Sequence, residues 1–109
     1  MRIYIASAYT KGDVARNVKQ VIDVADKLVE MGHTPYIPHL THFWHLISPK
    51  EISFWYDYDN SFIDHWAECV LRLDNESVGA DAEVARARKL GIPVYYDMEK
   101  LEKESEHEQ

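Results

Sequence analysis

The chain has 109 residues, enough for one domain and too few for two well-filled cores. Hydrophobic residues make up 46% and charged residues 28%, the balance of a folded globular chain and not of a disordered one. Twelve basic against nineteen acidic residues leave a net charge of −7, which speaks against any basic face for wrapping a nucleic-acid polymer. Part of that charge is local, since residues 99–109 hold five Glu and two Lys. A single mononucleotide stays within reach, because a few backbone amides can bind one phosphate. Cys69 is the only cysteine, so no internal disulfide can form, which suits a reducing compartment. No apolar run approaches the ~20 residues that span a bilayer, and the opening MRIYIASAYT lacks the apolar region of a signal peptide. The expectation is a cytoplasmic protein with no membrane partner.

Residues 2–7 predict a strand, apolar on both faces as in a buried parallel sheet. A loop, Ala8-Tyr9-Thr10-Lys11-Gly12, leads into a helix over about 13–31. There Val14, Val18, Val21, Ile22, Ala25, Leu28 and Val29 form one stripe, and Gly32 sits where a left-handed cap belongs. Residues 34–37 predict a second strand, closed by Pro38. The aromatic, His-rich segment 38–47 (PHLTHFWHLI), which follows a strand's carboxyl end, is the hardest to place. Ser48-Pro49-Lys50-Glu51 matches a capping box with Pro at the first helical position. It predicts helix to about residue 67, with a break near 57–60. Residues 69–73 predict the third strand, 74–78 a polar loop, 79–90 a helix with a small inner face (Ala80, Val84, Ala87), and 92–96 the fourth strand. Asp97 caps a last helix that frays into the acidic, solvated tail.

Strands alternating with helices at this spacing predict an α/β fold: a single-domain, flavodoxin/Rossmann-like three-layer sandwich. Its parallel sheet has about four strands in the order 2-1-3-4. The domain is expected over residues 1–97, with residues 98–109 as a helical-to-disordered tail. The order reverses between the first and third strands, and ligands bind beyond the strands' carboxyl ends at such a point. The two loops that meet there are residues 7–12 and 74–79.

The second of these loops runs into Gly79-Ala80-Asp81-Ala82-Glu83. Ser77 and Gly79 stand at a helix N-terminus whose amides suit an anion, and Gly79 lets a ligand approach the backbone. Glu83 follows about a turn later. The helix dipole is expected to favour its ionised form, and an ionised carboxylate beside an anomeric carbon is what covalent glycoside chemistry needs. Dipole stabilisation alone accounts equally for acidic residues here. The first loop, with Ser7, Ala8, Tyr9 and Thr10, is neither a GxGxxG nor a Walker loop.

IYIASAYTKGD, PHLTHFWH and DNESVGADAEVARARKLGIPVYY together resemble the nucleoside 2-deoxyribosyltransferase-like superfamily. That superfamily includes 2′-deoxynucleoside 5′-monophosphate N-hydrolases and CMP-type N-glycosidases. The resemblance spans residues 2–96. It implies that Glu83 is the nucleophile, that Tyr4 holds its carboxylate, and that Asp59 protonates the departing base, with Asp57 as the substitute. It also implies that Ser77 touches a phosphate, where the transferases tend to carry aspartate. An arginine that some monophosphate hydrolases use in the first loop is replaced by Thr10.

The activity so implied is hydrolysis of the base–sugar bond of a (deoxy)nucleoside 5′-monophosphate through a glycosyl-Glu83 intermediate, with no metal or organic cofactor. The alternatives are base exchange by a deoxyribosyltransferase, a non-catalytic nucleotide-binding module, and a plain interaction domain. Assembly as a homodimer or larger homo-oligomer follows from the same resemblance. His39, His42 and His45 recur every third residue but share no helical face, so they read as site wall or surface and not as a zinc site. Trp44 is the leading base-stacking candidate among Phe43, Trp44, Trp55 and Trp66.

Overall fold

A computed structural model describes residues 1–107. The elements run β1 (Arg2–Ala6), α1 (Val14–Glu30), β2 (Thr34–Tyr36), a 3-10 turn (Pro38–Leu40), α2 (Thr41–Ile47), α3 (Ile52–His65), β3 (Cys69–Arg72), α4 (Val78–Lys89), β4 (Val94–Tyr95) and α5 (Met98–His107). All strands are parallel and the sheet order is β2-β1-β3-β4, so the chain doubles back between β1 and β3 as expected.

Both faces of β1 are buried, and its alternation assigns them to two different cores. Ile3 and Ile5 join Leu71 and Tyr95 against Val21, Ala25 and Leu28 of α1 and Leu101 of α5. Tyr4 and Ala6 join Val70 against Ile63 of α3 and Ala80, Val84 and Ala87 of α4. The small inner face of α4 lets it lie close on the sheet, and Arg86 ties it to α3 through a bidentate pair with Asp64, each bond 2.6 Å. Asp13 caps α1 by accepting from the Arg16 amide, and Gly32 takes the left-handed conformation after it (φ 89°).

Three expectations are corrected. Ser48 does not open a helix; it closes α2, donating its amide to the Trp44 carbonyl at 2.8 Å. The linker is anchored on His45 instead, whose Nδ1 accepts from the Lys50 amide and from Trp55 Nε1, and α3 starts at Ile52 without a side-chain cap. Nor does α3 break near 57–60. Phe54, Tyr58, Phe62 and Trp66 step along it at i, i+4 spacing with consecutive ring centroids 6.1, 5.4 and 5.9 Å apart, a ladder that favours continuous helix. Finally, the acidic end is not simply solvated: α5 continues it as a helix and docks it as far as Ser105. α5 buries Leu101 and Ser105, Glu102 meets the buried His33 at 3.0 Å, and Glu104 accepts from Tyr95 at 2.6 Å. The last two residues of the expected tail lie outside the described ones.

Candidate active site

At the carboxyl end of β1 and β3 the two predicted loops meet, and two residues that the sequence reading passed over join them. Asn75 reaches across the seam: its Oδ1 accepts from the Ala8 amide at 2.9 Å and its Nδ2 donates to Ser7 Oγ at 2.7 Å. Arg72, buried at the end of β3, holds Asn75 in turn, donating to Asn75 Oδ1 at 3.0 Å and to the Asn75 carbonyl at 2.7 Å. The same guanidinium donates to Asp81 at 3.1 Å on the first turn of α4. A buried charge needs such partners. The one signal in the sequence was an arginine inside an otherwise apolar strand.

Glu83 stands in the second turn of α4, half-buried, with its Oε2 accepting from the hydroxyl of the fully buried Tyr4. No protein donor among the described residues reaches Oε1, and that atom is not a sealed, unpartnered one, so it opens to solvent. Burial pushes the Glu83 carboxyl up to about 7; the Tyr4 hydrogen bond opposes this, the nearby Asp59 adds to it, and the Arg72 charge works the other way. The expectation that the helix dipole would favour ionisation is therefore corrected. The dipole fades within the first turn, Glu83 lies beyond it, and desolvation dominates.

Asp59 of α3 faces the same place. Its Oδ1 accepts from Tyr36 at 2.9 Å, and Oδ2, like Glu83 Oε1, has no protein donor among the described residues yet is not sealed off. Burial raises its carboxyl to about 6, against the Tyr36 hydrogen bond. Asp57 is exposed and acts electrostatically on Arg86 of α4. Of the two candidate acids, only Asp59 joins Glu83. The register explains the arrangement: Tyr4 pairs with Tyr36 across adjacent parallel strands, with ring centroids 5.6 Å apart, so two tyrosine–carboxylate pairs stand side by side.

The remaining candidates divide. Ser77 is the N-cap of α4, its Oγ accepting from the Ala80 amide at 3.0 Å, and the space over Gly79 is open, with only Ser77 Oγ within 4 Å, at 3.9 Å, of a Cβ built there. Ser7 and Ala8 are buried and tied to Asn75: the Ala8 amide donates to it, and Ser7 Oγ accepts from it, which leaves the Ser7 hydroxyl its own hydrogen to donate. Thr10 is exposed, and Lys11 lies 3.8 Å from Glu76. The Tyr9 ring lies 5.0 Å from His42 and 5.4 Å from His39. His39 is buried and lies 2.8 Å, through Nε2, from the Ala8 carbonyl; its Nδ1 has no partner, and burial lowers its pKa, so the ring is neutral with Nε2–H as donor. Among the described residues no three His, Cys, Asp or Glu side chains converge on a point that could hold a metal ion. No described helix is long and apolar enough to cross a membrane.

Trp44 lines a cavity of about 330 Å³ with Pro35, Tyr36, Ile37, Leu40, Thr41 and Tyr58. It meets Trp55 and Tyr58 edge to face. No charged side chain lines this cavity, and Tyr36 connects it to Asp59. Tyr36 is the third residue that sequence reasoning missed.

The fold is similar to that of a solved 2-deoxyribosyltransferase from the psychrotolerant bacterium Bacillus psychrosaccharolyticus, described as a biocatalyst for the synthesis of antiviral and antitumoral nucleosides. The TM-score is 0.68 at 24% sequence identity, over 86% of this chain and 69% of that one. No curated protein matches the chain. A family model matches residues 1–97, and the chain belongs to that family, a domain of unknown function (DUF7768).

Proposed function

We propose that the protein breaks the N-glycosidic bond of a nucleoside and passes the pentose, through a covalent ester on Glu83, to a second base. The observation that carries this reading is the state of Glu83: one oxygen held by the buried Tyr4, the other open, at the point where the sheet order reverses. Glu83 attacks C1′ as the C1′–N bond breaks, and its electron pair leaves with the base. Asp59 delivers the proton to that base. The incoming base then attacks C1′, the ester bond to Glu83 breaks, and Asp59 takes a proton back. This sequence of steps requires Glu83 ionised and Asp59 protonated; in the free protein Glu83, raised to about 7, holds a proton more readily than Asp59, raised to about 6, so bound substrate must move that proton to Asp59.

Transfer between nucleosides is placed ahead of the monophosphate hydrolysis expected from Ser77 alone. Of the groups expected to hold a phosphate, the Ala8 amide already donates to Asn75, and the nearby cations face carboxylates. The likeness of the fold to a 2-deoxyribosyltransferase supports the same choice. Hydrolysis of a nucleoside 5′-monophosphate is the second reading, favoured by the open space over Gly79 at the start of α4. The uncharged, aromatic-walled cavity beside Tyr36, with Trp44 on its wall, suits a planar base.

A panel of deoxynucleosides and their monophosphates, with and without an acceptor base, tests this by chromatography. Exchanged nucleoside supports transfer, free base from monophosphates alone supports hydrolysis, and no product from any member rejects both. The protein is further proposed to be a cytoplasmic homodimer or larger assembly. Leu40, Phe43, Trp44 and Ile47 support this: they recur at helical spacing and are all exposed, Ile47 at 88%.

A further inference from the structure

The proposed chemistry names a role for Tyr4 and none for Tyr36, although the two phenols stand in register. Tyr36 is fixed on three sides. Its ring stacks on Phe62 at 3.9 Å and 14°, meets Trp66 edge-on at 6.4 Å, and lies 5.6 Å from Tyr4. Its hydroxyl donates to Asp59 Oδ1 at 2.9 Å, and another part of the side chain lines the aromatic cavity. A phenol has two χ angles, and both are held here by packing, so its hydroxyl is a fixed point. Asp59, by contrast, rides on α3, the helix whose exposed N-terminal half carries Ile52 and Tyr56 in solvent.

We propose that Tyr36 is the positioning residue of the acid: by pinning Asp59 Oδ1, it leaves Oδ2 as the oxygen that carries the proton to the departing base. This rests on the reading of Asp59 as the acid. The titratable groups facing Asp59 are Tyr36 from β2, Tyr4 from β1 and Glu83 from α4, with Tyr58 beside Tyr36 on α3 itself. Donation from Tyr36 stabilises the ionised carboxylate, so its loss raises the Asp59 midpoint.

Tyr36→Phe tests the assignment, because the ring and its stacking stay while the hydroxyl goes. Carbon NMR of the carboxyl-labelled protein reads the Asp59 titration directly, and the pH profile of base release is followed alongside. The midpoint is expected to rise by about half to one pH unit. The descending limb of the profile should move with it, and kcat should fall about tenfold with KM within twofold. An unmoved Asp59 midpoint, or a midpoint that moves without the limb, overturns the proposal. If Tyr36→Phe does not fold, 3-fluorotyrosine at position 36 is a stronger donor and must lower the midpoint; no change refutes it. The titration needs no turnover. A protein with no glycosidic activity but a shifted midpoint therefore rejects the proposed function and not the Tyr36–Asp59 link.

Discussion

The two halves of the site are held by different means. Glu83 sits over the sheet, held by the buried Tyr4, beside a polar mesh in which Arg72 and Asn75 tie β1 and β3 to α4. Asp59 sits on the α2–α3 arm, held by one phenol and by aromatic rings packed edge to face. The mesh is directional and saturated. The arm is apolar, adaptable and largely open to solvent on its far side, where Leu46, Ile47 and Ile52 are exposed. Fixing Glu83 rigidly while mounting Asp59 on a softer element suits the proposed exchange, in which one base enters and another leaves.

The largest effect that would break this contrast is at Glu83. Glu83→Gln keeps the shape and removes the nucleophile, so base release should fall by about 10⁴-fold or more with an unchanged circular dichroism spectrum. Normal turnover would end the case for a covalent ester. Next comes Arg72→Met, which leaves the β3–α4 loop and Asn75 without their donor. A loss of about 3 kcal/mol in urea unfolding is expected, and a loss under 1 kcal/mol would show that the mesh is decorative.

The pH dependence sharpens the comparison. Both carboxyls are raised in the folded protein, so their contribution to stability is full below the unfolded values near 4 and is lost as pH rises through about 6 for Asp59 and about 7 for Glu83. Unfolding free energy should fall between about pH 4 and pH 7 and level off above, and Glu83→Gln should flatten the upper part of that fall. A rise over this range contradicts the burial of the pair. The smallest effect belongs to the arm. Ile47→Ser should change monomer stability by less than about 0.5 kcal/mol while shifting the elution volume in size-exclusion chromatography toward the monomer. An unchanged volume sets that stripe aside as an interface.

The sheet order was legible because buried parallel strands and amphipathic helices leave strong periodic signals, as in residues 2–7 and the stripe of α1. Glu83, Tyr4 and Asp59 were legible as a group through the family resemblance, and the topology alone located the seam. The arm was misread where Ser48 looked like a cap, because the anchor used is the ring of His45, a contact with no local sequence signature. Arg72, Asn75 and Tyr36 were missed for a related reason. Asn75 acts on residues 67 and 68 positions away, and Tyr36 on one 23 positions away, so their roles exist only after folding.

The pairing of Tyr4 with Tyr36 across adjacent parallel strands makes the backbone ladder a ruler for the chemistry. Neighbouring strands lie about 4.8 Å apart wherever amides bond carbonyls between them. Two phenols mounted at matching rungs therefore start from Cα atoms whose spacing no side-chain change on α3 or α4 can reset. Remodelling the arm to take a different base would alter what enters the cavity and leave the backbone origin of both phenols as it is.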